Sequence, residues 1–517
     1  MDFTHHVLTY LLVMMACASS SSFNKRPNIL IILVDDFGFA DMSGNWSPQT
    51  VPSNTPYLES LADNGIRFVD FHAAASVCTP SRAALLTGRL GKRTGVTRNF
   101  SPFSVGGLPT NETTFAETFK SAGYRTGMVG KWHLGITKEF HPNSRGFDFY
   151  YGLPYSNDMG CSDDPGHNIP IGNPCPKDRL GEEDPTYPGV PLYYNESIVA
   201  QPVNQTSLSK RYAEMAVKFI KNEQDDKPFL LYVALTHMHV PLLYMDHFKN
   251  KSLNKGIYGD TLLEMDNTVQ TIVSAVKEIG QEKNTLVWVA GDNGPWEAKC
   301  ELGGDPSPFI GVWQKLEGGG GSTSKMTVWE GGHRVPAAVY WPGTIKGGLI
   351  SEVTTSMLDI YPTIASLANV TLPGDRIYDG KDITDHLLGK PFPKDRVLYH
   401  PNSGALGSVP GDFGAVRVGD YKAVYFTGGI ADCRGKLGKA ESHHPPLIFN
   451  VREDPMESNP LDPGSKLYQS IYAGMKEAMI DINASLKNDN RTVADYTEDP
   501  NAKPCCNPHH VVCRCQD

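Results

Sequence analysis

Three short stretches of this chain are apolar without alternation: NILIILV at residues 28–34, FLLYVAL at 229–235 and TLVWVA at 285–290. Such runs predict strands buried on both faces of a parallel sheet. Between them lie segments whose apolar residues recur at helical spacing, such as YLESLADNGIRF and TLLEMDNTVQTIVSAVKEIG. Strands alternating with helices predict an α/β fold with a large, mostly parallel sheet flanked by helices. After about residue 390 the texture changes. RVLYH, AVRVGDYKAVYF and PLIFNV are shorter alternating segments joined by Gly and Pro turns, and an amphipathic helix follows near 467–486. That pattern predicts a smaller C-terminal domain with an antiparallel sheet. The expected division is a large domain at 19–390 and a smaller one at 391–517 that ends in a cysteine-rich tail. No internal repeat is evident.

The first residues stand apart. LTYLLVMMACASSSS is an apolar run ending in Ala16-Cys17-Ala18 and followed by small polar residues, which predicts a cleavable signal peptide at 1–18. The run is too short to span a bilayer, and no later stretch is long and apolar enough, so no membrane span is expected. Sequons at Asn45, Asn99, Asn111, Asn195, Asn204, Asn250, Asn369, Asn483 and Asn490 fit a glycoprotein of the secretory pathway.

Composition narrows the ligand. With 517 residues, 40% hydrophobic and 20% charged, the chain can bury a sizeable core. Its formal net charge is −10 and it has no run of Lys and Arg, which argues against a nucleic-acid or anionic-membrane surface. Cations that meet an anionic ligand must therefore be local to a site. Ten cysteines become nine without Cys17, and an odd count in an oxidising compartment marks one thiol as different. Cys505, Cys506, Cys513 and Cys515 cluster at the C-terminus, Cys161 and Cys175 bracket a loop, and Cys300 and Cys433 remain. The odd one is Cys78.

Ligands of α/β sheets sit at the carboxyl ends of the strands. Asp35-Asp36 follows the first strand run, and Asp292-Asn293 follows the third, in GDNG. Oxygen ligands converging there suit a hard divalent cation, Ca2+ or Mg2+; turn formation and helix capping are the alternative use of the same residues. Cys78 precedes Thr79-Pro80-Ser81-Arg82. Pro80 fits a first helical position with Thr79 as cap, which places Cys78 at the positive end of a helix with Arg82 one turn on. A nucleophile fits that place, and so does a small buried side chain. An activated thiolate would be oxidised in a secreted protein, so the residues by themselves leave the role of Cys78 open.

CTPSR followed by AALLTGR resembles the signature of the sulfatase family, and the likeness extends over nearly the whole mature chain. In that family the motif cysteine is converted to formylglycine by a formylglycine-generating enzyme, and the hydrated aldehyde is the nucleophile. The resemblance implies an alkaline-phosphatase-like sulfatase fold. It also implies one divalent cation, Ca2+ or alternatively Mg2+, held by Asp35, Asp36, Asp292, Asn293 and the converted residue 78. GKWHLG would supply Lys131 as a sulfate-binding cation and His133 as a base, and HMHVP would supply His239 as the acid beside the leaving oxygen. His237 is the alternative two residues earlier; the family pattern places this histidine two residues before proline. YSNDMG offers Ser156 and STSKMTVWEGG offers Lys325 for substrate, and Arg82 would neutralise charge.

Further likeness lies in RFVDFHAAAS, VALTHMHVPL, GDNGPWEAKCELGG and PCCNPHHVVCRC, and points to the arylsulfatase branch. It implies a lysosomal enzyme that removes the 3-O-sulfate from N-sulfoglucosamine in heparan sulfate and cleaves synthetic aryl sulfates, with secretion as the alternative destination and another sulfated glycan or a sulfolipid as the alternative substrate. It also implies disulfides 161–175 and 300–433. Two other classes stay in view: a phosphatase or phosphodiesterase of the same superfamily, which would carry Ser or Thr as nucleophile, and a non-catalytic glycan-binding protein on the same scaffold.

Overall fold

Ile29, Ile31 and Leu33 face one side of the strand Asn28–Val34, and Leu30, Ile32 and Val34 face the other. Each set joins a separate apolar layer, which is why this strand shows no polar alternation. In the computed structural model, which describes residues 25–42, 54–172, 174–176, 188–222, 227–253, 256–393 and 396–515, the strand lies inside a ten-stranded sheet. The expected signal peptide and Asn45 lie outside the described residues. Across the sheet the order is Leu349–Ser351, Ile66–Phe68, Ala337–Tyr340, Thr285–Gly291, Asn28–Val34, Phe229–Ala234, Arg125–Gly130, Phe149–Gly152, Leu192–Tyr194 and Ser197–Ala200.

The sheet is mixed. Its five central strands, from Thr285–Gly291 to Phe149–Gly152, are mutually parallel. Ala337–Tyr340 pairs antiparallel with both of its neighbours, and the hairpin at 192–200 extends the other edge antiparallel. Helices Leu208–Lys221 and Gly256–Glu278 cover one face through Tyr212, Phe219, Met265 and Ile272. Helices Cys78–Thr87, Phe115–Ser121 and Ile360–Leu367 cover the other through Leu85, Phe119 and Ile364. One helical expectation needs correction. In YLESLADNGIRF the helix covers only Pro56–Asp63, and Ile66–Phe68 is a strand. Gly65 makes the break: a Cβ there would lie 2.1 Å from the Val339 carbonyl oxygen, so only glycine lets the backbones approach.

The C-terminal sheet is antiparallel, in the order Val397–Pro401, Phe413–Val418, Tyr421–Thr427, Glu441–Asn450. Helix Lys466–Lys487 packs on it, with the Ser465 hydroxyl accepting the Tyr468 N–H as its cap. Val416, Ala423, Ile448 and Met475 share one core with Ala74, Ala84 and Leu90 of the larger unit. Buried ion pairs cross the same junction: Lys422 meets Glu330 at 3.1 Å, and Arg417 meets Asp70 at 2.7 Å.

Disulfides join Cys161–Cys175, Cys300–Cys433, Cys505–Cys513 and Cys506–Cys515. Among the described residues Cys78 is the free cysteine, and no helix is long and apolar enough to cross a membrane.

Candidate active site

Adjacent parallel strands in register, with Val34 opposite Gly291, release their chains side by side at the carboxyl edge of the sheet. Asp35 and Asp36 therefore emerge next to Asp292 and Asn293. The Asp36 N–H donates to Asp292 Oδ1 at 3.1 Å, and Asn293 Nδ2 donates to Asp36 Oδ1 at 2.7 Å. On the other side, strand Arg125–Gly130 delivers Lys131 and His133, and strand Phe229–Ala234 delivers the segment to His239. All of these side chains are buried.

Helix Cys78–Thr87 points its N-terminus at this edge. Thr79 is not its cap. The helix begins at Cys78, with extended Val77 in the cap position and no side-chain cap bond. Pro80 is accommodated in the first turn, where its missing N–H costs no intrahelical bond. Thr79 acts elsewhere: its hydroxyl donates to the His133 carbonyl at 2.8 Å, and its N–H donates to Asn99 Oδ1 at 3.0 Å.

Charge is interleaved. Arg82 donates to Asp292 Oδ2 at 2.8 and 3.0 Å and lies 3.2 Å from Asp35. Lys131 Nζ donates to Asp35 Oδ2 at 2.5 Å and to Ser156 Oγ at 3.1 Å. Lys325 Nζ donates to both oxygens of Asp36, at 2.6 and 2.8 Å. Burial opposes the charge on Asp35, but Lys131 and Arg82 win and hold its carboxyl well below the usual range. Asp292 is driven the other way, up to about 7, by burial and by the Asp35 charge. Burial opposes the charge on Lys131 and Lys325 too, yet Asp35 and Asp36 hold their ammonium groups above the ordinary value.

The Cys78 thiol donates to Asp35 Oδ1 at 3.5 Å, and burial followed by the Asp35 charge pushes it up to about 12. Arg82 does not activate it, because the guanidinium is engaged by Asp292 and Asp35. As cysteine, residue 78 is thus a neutral, weakly nucleophilic thiol, and the helix-end thiolate allowed by the sequence is not what the fold builds.

Ligand atoms of Asp35, Asp36, Cys78 and His239 lie within 4.8 Å of one another. Asn293 Oδ1 is buried with no hydrogen-bond partner among the described residues. A hard cation would satisfy that acceptor, so the residues present fit a divalent ion. Asp292 stands outside the four-residue group, since its carboxylate is turned to Arg82. The two histidines of HMHV separate: His239 Nε2 is 3.6 Å from Asp36, whereas His237 turns to Glu264 at 3.6 Å.

Residues 27–370 match the sulfatase family profile, and residues 394–515 match that of the C-terminal region of aryl-sulfatase. The chain belongs to the sulfatase family. It is 50% identical to arylsulfatase G of Canis lupus familiaris over 511 residues, 97% of this chain and 93% of that protein. It is 49% identical to arylsulfatase G of Homo sapiens, over 97% and 95%. Among solved structures, the PsFucS1 sulfatase from Pseudoalteromonas sp. superposes with a TM-score of 0.75 at 26% identity, over 94% of this chain and 95% of that one. This sulfatase is accordingly a sulfate ester hydrolase, and its family implies a divalent metal and a formylglycine.

Sequence reading missed several neighbours of the site. Asp158 stands 4.0 Å from His239, and the Trp296 ring lies 5.6 Å from the His239 ring. Both belong to quoted segments, YSNDMG and GDNGPWEAKC, but neither residue type signals its role without the fold. Asn99, the partner of the Thr79 N–H, had registered only as a sequon.

Proposed function

We propose that this sulfatase removes the 3-O-sulfate from N-sulfoglucosamine residues of heparan sulfate and also hydrolyses synthetic aryl sulfates, acting after Cys78 has been converted to formylglycine. The likeness to arylsulfatase G supports the substrate. The observation that carries the mechanism is an unpaired, buried, protonated Cys78 ringed by carboxylates and cations. A thiol so placed is a poor nucleophile, and this surrounding suits a different group at that position.

Asp35, Asp36, Asn293 and residue 78 would hold a divalent cation, joined by Asp292 if its carboxylate turns from Arg82, with Ca2+ suited by the oxygen donors and Mg2+ as the alternative; when bound, such an ion polarises a sulfate oxygen and offsets its charge. Formylglycine supplies a hydrated aldehyde, with one hydroxyl to attack sulfur and a second through which sulfate is later expelled. Lys131, Lys325 and Arg82 lower the repulsion between an anionic ester and its nucleophile. Ser156, held by Lys131, offers a hydroxyl to the substrate.

His239 Nδ1 lies 2.6 Å from the Val240 carbonyl, so this nitrogen carries the hydrogen and Nε2 is the nitrogen that protonates the leaving oxygen. Burial, then Lys325, lower its affinity for the proton, so the imidazolium that acts as the acid is populated at acidic pH and gives up its Nε2 proton readily. His133 Nε2 lies 3.1 Å from the Phe100 carbonyl, and Nδ1 is buried with no partner among the described residues. Burial, then Lys131, keep this ring neutral, so Nδ1 can accept the proton from the second hydroxyl.

A serine at position 78 provides one hydroxyl and no exit for its sulfate ester. Cys78→Ser is therefore expected to release one equivalent of alcohol product and stop as a sulfated enzyme. Sustained turnover by that variant would refute the mechanism. Peptide mass spectrometry across residues 76–89 of protein from a secretory host should find the aldehyde in place of the thiol. An unmodified Cys78 from a host that converts other sulfatases would favour the glycan-binding reading. Lysosomal delivery and encounter with a formylglycine-generating enzyme belong to the same proposal.

A further inference from the structure

Beside His239 opens a groove of about 260 Å³ whose walls mix polar side chains with prolines and Ile171. Asn157, Asp158, Ser162, Gln205 and Lys299 line it. Asn157 and Ser162 are both 4% exposed, yet Asn157 Oδ1 and Ser162 Oγ have no hydrogen-bond partner among the described residues. Buried polar atoms in that state take a hydrogen bond from water or from a ligand in the groove. Asp158, at 4.0 Å from His239, connects the groove to the reacting centre.

Lys299 adds a positive charge that the hydrolysis itself does not use. It forms no ion pair among the described residues. Its Nζ donates to the Ile169 carbonyl at 2.6 Å and lies 4.2 Å from the Trp296 ring centre. Lys325 approaches the same ring at 4.6 Å, and the His239 ring lies 5.6 Å from it. One indole thus stands next to the acid, a sulfate-binding lysine and this additional lysine. An ammonium carries three donors, and the Ile169 carbonyl engages one of them.

We propose that Lys299 is a specificity residue that reads a second anionic substituent next to the ester being cleaved, while Asn157, Asp158, Ser162 and Gln205 take the hydroxyls of the sugar. This rests on the sulfate-ester reading of the site and deepens it: the preferred leaving group is a polyhydroxylated ring bearing a further acid group, of which an N-sulfo group is one. A neutral groove would bind an N-acetyl sugar equally well. A buried ammonium lining the groove distinguishes the two by a charge-assisted hydrogen bond.

The test compares kcat/KM of wild type, Lys299→Met and Lys299→Arg on 3-O-sulfated glucosamine carrying either N-sulfo or N-acetyl, with thermal melting as a check on folding. The wild type should prefer the N-sulfo sugar. Lys299→Met should cut that preference by about ten- to a hundredfold, mainly through KM, whereas Lys299→Arg keeps most of it. An equal loss on both sugars would make Lys299 a structural tie to Ile169 and overturn the proposal, as would an unchanged preference. Phenyl sulfates with and without an ortho carboxylate give the same comparison without the sugar. If the wild type cleaves these but neither glucosamine ester, the heparan substrate fails while Lys299 is still decided. A wild type inactive on every sulfate ester would sink the underlying reading instead.

Discussion

Asn293 shows how one atom can carry a functional argument. Its Nδ2 is fixed by Asp36, which sets the amide orientation and leaves Oδ1 buried with no partner among the described residues. Burying a polar atom in that state costs about 1–3 kcal/mol unless a ligand satisfies it. Asn293→Ala should therefore lower the affinity for Ca2+ by at least about tenfold, read as a smaller calcium-dependent rise in melting temperature as well as lost activity. Chelation of the wild type should abolish turnover reversibly. If calcium protects wild type and variant equally, Asn293 is not a ligand.

At the scale of elements, the site depends on strands that end at the right place. Gly130 closes strand Arg125–Gly130 at a φ of 111°, and a Cβ there would lie 1.8 Å from the Ala234 carbonyl oxygen of the neighbouring strand. The next residue, Lys131, is held by its own N–H to that same carbonyl at 2.8 Å. Gly130→Ala must push the two strand ends apart or strain the backbone. The expected outcome is a loss of roughly 2–4 kcal/mol in stability and a fall in kcat, because Lys131 moves with the strand. Unfolding by urea together with steady-state kinetics would measure both. Normal activity at reduced stability would show that Lys131 tolerates the shift.

Across the whole molecule, the two units meet over a buried polar cluster that no segment of the sequence announced. His72, His333 and His400 stack in a row, with ring centres 5.3 Å apart between His72 and His400 and 4.1 Å between His333 and His400. Asp70, Glu330, Arg334, Arg417 and Lys422 surround them. Burial lowers all three imidazoles, His333 to about 3 from an ordinary 6.5. In the unfolded chain these histidines take up protons near pH 6.5, whereas in the fold they resist. Their contribution to stability is therefore present above 6.5 and is lost as pH falls toward 3. Each such group can remove up to about 1.4 kcal/mol per pH unit in that window. His333→Gln should flatten the decline in melting temperature between pH 6.5 and 4.5; the carboxylates that burial raises into that window, Asp292 among them, are common to both proteins. An unchanged slope would place the acid sensitivity elsewhere.

The chain's own pattern determined the strand runs at 28–34, 229–235 and 285–290, the change to an antiparallel sheet in the C-terminal part, and the residues that gather at the sheet edge. Each is written locally, in side-chain periodicity or in a short motif. Tertiary structure decided what depends on residues far apart in the chain. Ala337–Tyr340 and the hairpin at 192–200, which pair antiparallel, make the sheet mixed. Gly65 turns the end of an apparent helix into a strand because Val339 lies against it. Thr79 leaves the cap position for contacts with His133 and Asn99. Burial beside Asp35 keeps Cys78 protonated, and Lys299 finds its groove only when residues 157–172 fold over it. Periodicity and motifs report what a residue can do with its neighbours in sequence. Proton affinity, buried pairing and groove shape arise from neighbours in space.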